Sequence, residues 1–155
     1  MKPLIFVIGG ADSGKSTIIS SLTGCKHHSY KGKVEDKSTE KIIYVICSSP
    51  QEETVADKKY KEALDDVPIN PHIIGLVVAA RSTKYLETII TLAQEKKGFK
   101  IYPFLITSGY EHTNTNIKQV RAILHRCHIR PHTLDGRRFA FLNAAEICEI
   151  TGIPN

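Results

Sequence analysis

The chain has 155 residues, 24% of them charged, with a formal net charge of +5. That length fits one domain with one compact core. No apolar stretch approaches the ~20 residues of a membrane span, and the first apolar run is too short for a signal-peptide core, so a cytoplasmic protein is expected. Cys25, Cys47, Cys127 and Cys148 form no C-x-x-C pair, and they are expected to be reduced, mostly buried thiols rather than a disulfide framework.

The first element is a strand, Leu4 to Ile8, that leads straight into Gly9 to Ser16, GGADSGKS. These eight residues fit G-x-x-x-x-G-K-[ST], the loop whose backbone N–H groups wrap a triphosphate while the lysine reaches the β and γ phosphates and the hydroxyl meets Mg²⁺. Ile18, Ile19 and Leu22 then recur at helical spacing, so a helix from about Lys15 to Leu22 points its positive end at the anion. Phosphate binding is thus assigned to Gly9, Gly10, Ala11, Asp12, Ser13, Gly14, Lys15, Ser16 and Thr17, with Lys15 as the catalytic cation and Ser16 on Mg²⁺.

Residues 25–40, CKHHSYKGKVEDKSTE, are polar and suit a solvated loop. His27 and His28 are neighbours that diverge in an extended segment, which argues against a metal pair there. Further strands are predicted at Lys41 to Cys47, His72 to Ala80, Phe99 to Thr107 and Arg138 to Leu142, rich in Ile, Val and Phe and largely without polar alternation, as in a parallel sheet covered on both faces.

Helices are predicted between them. Ser49-Pro50-Gln51-Glu52 is a capping box opening a polar helix that ends near Asp66. Ser82 caps a second, whose Leu86, Ile89, Ile90 and Ala93 share one face and which Gly98 stops. Ile117, Val120, Ile123, Leu124 and Cys127 mark a third. Asn143 with Glu146 is a capping box for a last helix closed by Gly152 and Pro154. The fold class is therefore α/β: a doubly wound, mostly parallel sheet of about five strands with helices on both faces, its ligand at the carboxyl edge beside the Gly9 loop.

With that order of elements, GGADSGKSTIISSLTG resembles the P-loop GTPase superfamily, especially its translational and Era-like branches. The resemblance implies a second motif, Asp-x-x-Gly, after the Lys41 strand. Here Ser48-Ser49-Pro50-Gln51 puts a hydroxyl where the metal-holding carboxylate would be and Gln51 where the γ-phosphate-sensing glycine would be. Glu52 then takes the place of a water-positioning residue, or serves only as the third residue of its capping box. The guanine motif [NT]-K-x-D becomes Thr107-Ser108-Gly109-Tyr110, matching at Thr107 alone, and the later Ser-Ala becomes Asn143-Ala144-Ala145. The resemblance also implies that Asp12 coordinates a monovalent cation such as K⁺ beside the phosphates; a small polar residue suited to a tight turn is the alternative. Thr39, in the place of the first switch loop, is the implied second ligand to Mg²⁺.

Charge concentrates near the end of the chain. Between Arg121 and Arg138 lie five arginines, the histidines His125, His128 and His132, and one carboxylate, Asp135. An RNA, ribosomal or protein contact face, an arginine lid over a nucleotide, and a solvated helix and loop all fit, and no aromatic residue interleaves until Phe139. Zinc on His125, Cys127, His128 and His132 is disfavoured because Cys127 falls on the apolar face and Pro131 breaks the run. The expected function is binding of a nucleoside triphosphate, with GTP implied by the resemblance, and weak or partner-dependent hydrolysis in a switch. A non-catalytic nucleotide-binding module and a small ATP-dependent kinase are the alternatives.

Overall fold

The computed structural model describes residues 1–10, 13–26, 28–36, 38–51, 54–81, 85–108 and 117–154. Its elements run β1 (Lys2–Ile8), α1 (Lys15–Thr23), β2 (Lys31–Asp36), β3 (Lys41–Ile46), α2 (Val55–Asp66), β4 (Ile73–Ala80), α3 (Leu86–Glu95), β5 (Phe99–Ser108), α4 (Ile117–Arg126), β6 (His132–Asp135) and α5 (Ala140–Thr151). Six strands, in place of about five, form one sheet among the described residues, in the order β2-β3-β4-β1-β5-β6. All neighbours pair in parallel except β2, which is antiparallel to β3.

The central strands are apolar on both faces because both faces are covered. On β1, Leu4, Phe6 and Ile8 pack with α2, α3 and α4, whereas Ile5 and Val7 pack with α1 and α5. Tyr60 of α2 is fully buried in the first of these layers and donates its hydroxyl hydrogen bond to the Ile89 carbonyl of α3. All four cysteines are free thiols. No helix among the described residues is long and apolar enough to cross a membrane.

The structure departs from the strands read in the sequence at three places. Lys31–Asp36, expected as loop, is an edge strand: its backbone pairs with β3 from Lys31↔Ile46 to Asp36↔Lys41, and its lysines suit an edge that must resist further pairing. Arg138 to Leu142, expected as a strand, instead runs into α5, because Ala140, Ala144, Ile147 and Cys148 make one apolar helical face. Phe139 and Phe141, the apolar residues of that expected strand, are an exposed pair, 66% and 60% accessible, with rings stacked at 5.7 Å. The last strand lies earlier, at β6, where Leu134 enters the core and pairs with Ile106.

Two capping assignments also move. The α2 helix begins at Val55, not after Ser49, and its cap is Thr54, whose hydroxyl accepts from the Asp57 N–H at 3.1 Å. Ser49 serves elsewhere, accepting from the Arg81 N–H at 3.0 Å. Asn143 lies inside α5 rather than at its cap, fully buried, donating to the Asp135 carbonyl at 2.9 Å and accepting from Arg138 Nε at 3.1 Å. The cap expected at Ser82 lies outside the described residues.

Candidate nucleotide site

The chain leaves β1 over one face of the sheet through α1 and comes back over the other through α2 and α3, so the crevice beyond the carboxyl ends of β1 and β4 is a topological switch point. The Gly9 N–H donates to the Ala80 carbonyl at 3.0 Å and ties the two strand ends together there. Gly14, with φ +94°, takes the left-handed turn into α1 that a side chain would strain. Lys15 folds back across the loop and donates to the carbonyls of Gly9 at 2.7 Å and Gly10 at 2.8 Å. A Cβ on Gly9 would sit 2.4 Å from the Ser13 hydroxyl, so the loop closes only around a glycine at that position. The Ser13 side chain is 1% exposed, and its hydroxyl has no hydrogen-bond partner among the described residues.

In front of this loop lies a cavity of about 550 Å³. One wall is Ser13 to Ser16 at the start of α1, another is Cys47 to Ser49 beyond β3, and a third is Thr54 to Ala56 at the start of α2; Arg81 closes it beyond β4, and His28 with Lys31 cover the outer side. Two helix N-termini therefore face the space, with Lys15, Lys31 and Arg81 as its cations and no carboxylate among the described lining residues. Burial pushes the Cys47 thiol up to about 12, helped by neighbouring Cys25 and opposed by Lys31 and Lys15, so Cys47 is a protonated wall residue and not a nucleophile. A second cavity, about 300 Å³, lies on the other side of the loop between Gly14, Ser16 and Thr17 and the turn at Gly136, Arg138 and Ala140.

The expected site residues divide accordingly. Gly9, Gly10, Ser13, Gly14, Lys15, Ser16 and Thr17 come together around the mouth of β1, whereas Ala11 and Asp12 lie outside the described residues. So do His27, Glu52, Gly109 and Tyr110. Thr39 is not brought to Ser16. It occupies the turn between β2 and β3, its N–H donating to the Asp36 carbonyl, at the amino end of β3 and so roughly 15–20 Å of strand away from the loop. The polar group that meets Ser16 is instead His28, whose Nδ1 lies 2.8 Å from the Ser16 hydroxyl oxygen.

His28, Lys31 and Arg81 were not among the expected site residues. Arg81 had a usable signal, since it directly follows a strand that ends at the ligand edge. Lys31 and His28 had none, because only the β2–β3 pairing brings residues 28–31 back to the carboxyl edge, where the Cys47 N–H donates to the Tyr30 carbonyl at 2.8 Å.

The arginine-rich stretch is partly neutralised. Arg126 forms a two-point ion pair with Glu87, both bonds 3.1 Å; Arg137 pairs with Asp135 at 3.2 Å; Arg138 reaches Glu146 at 3.5 Å. His132 stacks on Phe104 at 5.1 Å, and no group of three His, Cys, Asp or Glu side chains among the described residues can hold a metal ion.

No family model matches the chain, and no curated protein matches it in sequence. Among solved structures, two de novo designed proteins of P-loop NTPase fold superpose with TM-scores of 0.57 and 0.58, at 12% and 10% identity, over 98% of this chain and 93% of each design. The FeoB G-domain from Methanococcus jannaschii aligns at a TM-score of 0.46 and 18% identity, over 97% of this chain and 98% of that domain. The chain has the P-loop NTPase fold.

Proposed function

We propose that this chain binds a nucleoside triphosphate on the Gly9 loop and turns it over slowly, if at all, without a partner. The observation that carries the reading is Lys15, held over the Gly9 and Gly10 carbonyls at the N-terminus of α1, facing a cavity with two further cations. A polyphosphate fits that arrangement because it takes backbone N–H donors, a helix dipole and fixed cations together. GTP is the preferred base on the sequence resemblance alone.

Slow turnover follows from the strand ends. Phosphoryl transfer needs a positioned water and neutralisation of the transferring oxygens. Beyond β3 and β4 the described residues offer Ser48 and Arg81, neither of which accepts a proton from water at neutral pH. For Mg²⁺ the described lining residues supply only neutral oxygens, the hydroxyls of Ser13, Ser16, Ser48, Ser49 and Thr54 and the Gln51 amide, and no carboxylate, which is a poor set for a hard cation. On the resemblance, K⁺ beside Asp12 supplies the missing charge; a rate raised by K⁺ over Na⁺ and lost in Asp12→Ala tests that extension.

Equilibrium titration of GTP and ATP against wild type and Lys15→Ala tests the main reading. The substitution removes the charge at the β/γ phosphates and leaves the backbone cradle, so affinity should fall at least about tenfold, near 1.4 kcal/mol. Equal affinity in the two proteins would sink the assignment of the loop.

A further inference from the structure

We infer that this cavity holds a polyphosphate through its own fixed cations, without a divalent metal ion as the bridging charge. The inference rests on the nucleotide-binding reading and deepens it. Its first ground is the wall: Lys15, Lys31 and Arg81 come from three separate parts of the chain, α1, β2 and the end of β4, and converge on one space. Like charges brought together repel, and an anion in the middle turns that repulsion into attraction.

The second ground is Ser16. Its hydroxyl, the group that would meet a metal ion, lies 2.8 Å from His28 Nδ1, so an imidazole stands beside the position that a cation would take. The third is donor supply. The N-termini of α1 and α2 face the cavity, and the Ser13 hydroxyl, 1% exposed and without a partner among the described residues, lines it as well. Backbone N–H donors serve phosphate oxygens directly and are useless to a metal, whose ligands must be lone-pair donors, whereas the hydroxyl can serve a phosphate oxygen with its hydrogen.

A sign follows. Mg²⁺ complexed to a polyphosphate cancels part of the charge that Lys31 and Arg81 attract, so added metal should leave binding unchanged or weaken it. The probe is inorganic tripolyphosphate, which removes the base from the question, titrated calorimetrically in EDTA and in excess Mg²⁺. Binding in EDTA at least as tight as in Mg²⁺ is expected, with Arg81→Gln and Lys31→Gln each weakening it by about fivefold or more, since each removes one charge-assisted contact. Circular dichroism melts show whether the variants fold, and salt dependence of the wild type supplies an arm that needs no variant: affinity in EDTA should fall about tenfold between 50 and 300 mM NaCl. Binding about tenfold tighter in Mg²⁺, unchanged affinity in both folded variants, or no salt dependence would each overturn the inference and leave the nucleotide-binding reading standing. Failure to bind tripolyphosphate, GTP and ATP in either buffer would overturn both.

Discussion

Gly9→Ala tests how the loop closes, because its effect is steric and not conformational. The Gly9 backbone is not in the left-handed region, so alanine is allowed there by its dihedrals; what it lacks is space. The new Cβ would lie 2.4 Å from the Ser13 Oγ, 3.0 Å from the Ser13 Cβ and 3.4 Å from Ile106 Cδ1. Ordinary contact would need the Ser13 side chain to retreat by about 1 Å, towards the cavity that the loop must present to its ligand. Overpacking of this kind costs about 1–3 kcal/mol, and urea unfolding should show a loss in that range. Ser13→Ala alone should cost little or even stabilise the ligand-free protein, since it deletes a buried hydroxyl without a partner among the described residues. In the double variant the 2.4 Å contact is gone and the 3.0 Å contact remains, so the Gly9→Ala penalty should shrink by about 1 kcal/mol in a double-mutant cycle. Tripolyphosphate affinity should fall in Gly9→Ala with the loop displaced. A penalty below about 0.5 kcal/mol, or one of equal size with and without the Ser13 hydroxyl, would refute the packing argument.

The Arg126 guanidinium hydrogen-bonds the Glu87 carboxylate and holds it below the ordinary glutamate range, so the pair's contribution is complete above the unfolded glutamate value and is lost as pH falls through the lowered one. Arg126→Ala should therefore lower Tm slightly at neutral pH, and its difference from wild type should shrink as pH falls below the ordinary glutamate range, as measured by thermal melts at decreasing pH; a constant difference at every pH would exclude the ion pair as its source. For the thiols, Cys47 raised to about 12 is almost wholly protonated at pH 8, whereas Cys148 is only half-buried, so an aryl disulfide reagent followed by peptide mass mapping should find Cys148 modified in the native protein and Cys47 only on unfolding. Equal native rates for the two would contradict the buried placement of Cys47. Purified protein in Na⁺ buffer should hydrolyse GTP at or below the ~10⁻⁴ s⁻¹ scale of unassisted GTPases, and a rate near ~1 s⁻¹ would show that a proton acceptor has been overlooked.

The start of the fold was legible because independent signals coincide there: an apolar strand, a glycine-lysine loop and a helix face, all within residues 3–24. The long helices and the central strands were legible for the same reason, their burial being written in the period of the sequence. What failed lies where burial does not set the structure. Lys31–Asp36 has only the half-buried Val34 to mark a face, and its strand exists through backbone bonds to β3 that no side-chain pattern announces. Residues 138–142 carry the apolar content of a strand in Phe139, Phe141 and Leu142, but those side chains are not buried. Asn143 matches a cap by type, yet its amide is spent on holding the β6–α5 turn through Asp135 and Arg138. The site was half legible for a related reason: a contiguous motif supplies the loop, while the far wall is assembled by strand pairing from His28, Lys31, residues 47–49, Gln51, residues 54–56 and Arg81.

Strand order changes how the missing carboxylate is understood. Attention falls first on Ser48, because the resemblance places a metal-holding Asp after the Lys41 strand. In the sheet, β4 lies between β3 and β1, so Ser48 stands two strand spacings from the β1 line, about 10 Å, and the immediate neighbour of the loop on that side is the Ala80–Arg81 end. That neighbour is cationic. Among the described residues, both of these strand ends thus carry groups that attract or donate to phosphate oxygens, and no carboxylate. Cations and donors of this kind hold the anion and neutralise its oxygens, and they leave the positioning of the attacking water unsupplied. On the proposed reading, binding and turnover separate physically in this cavity: Arg81, a cation that would draw an anion in, stands at a strand end where a carboxylate would hold a metal or activate water.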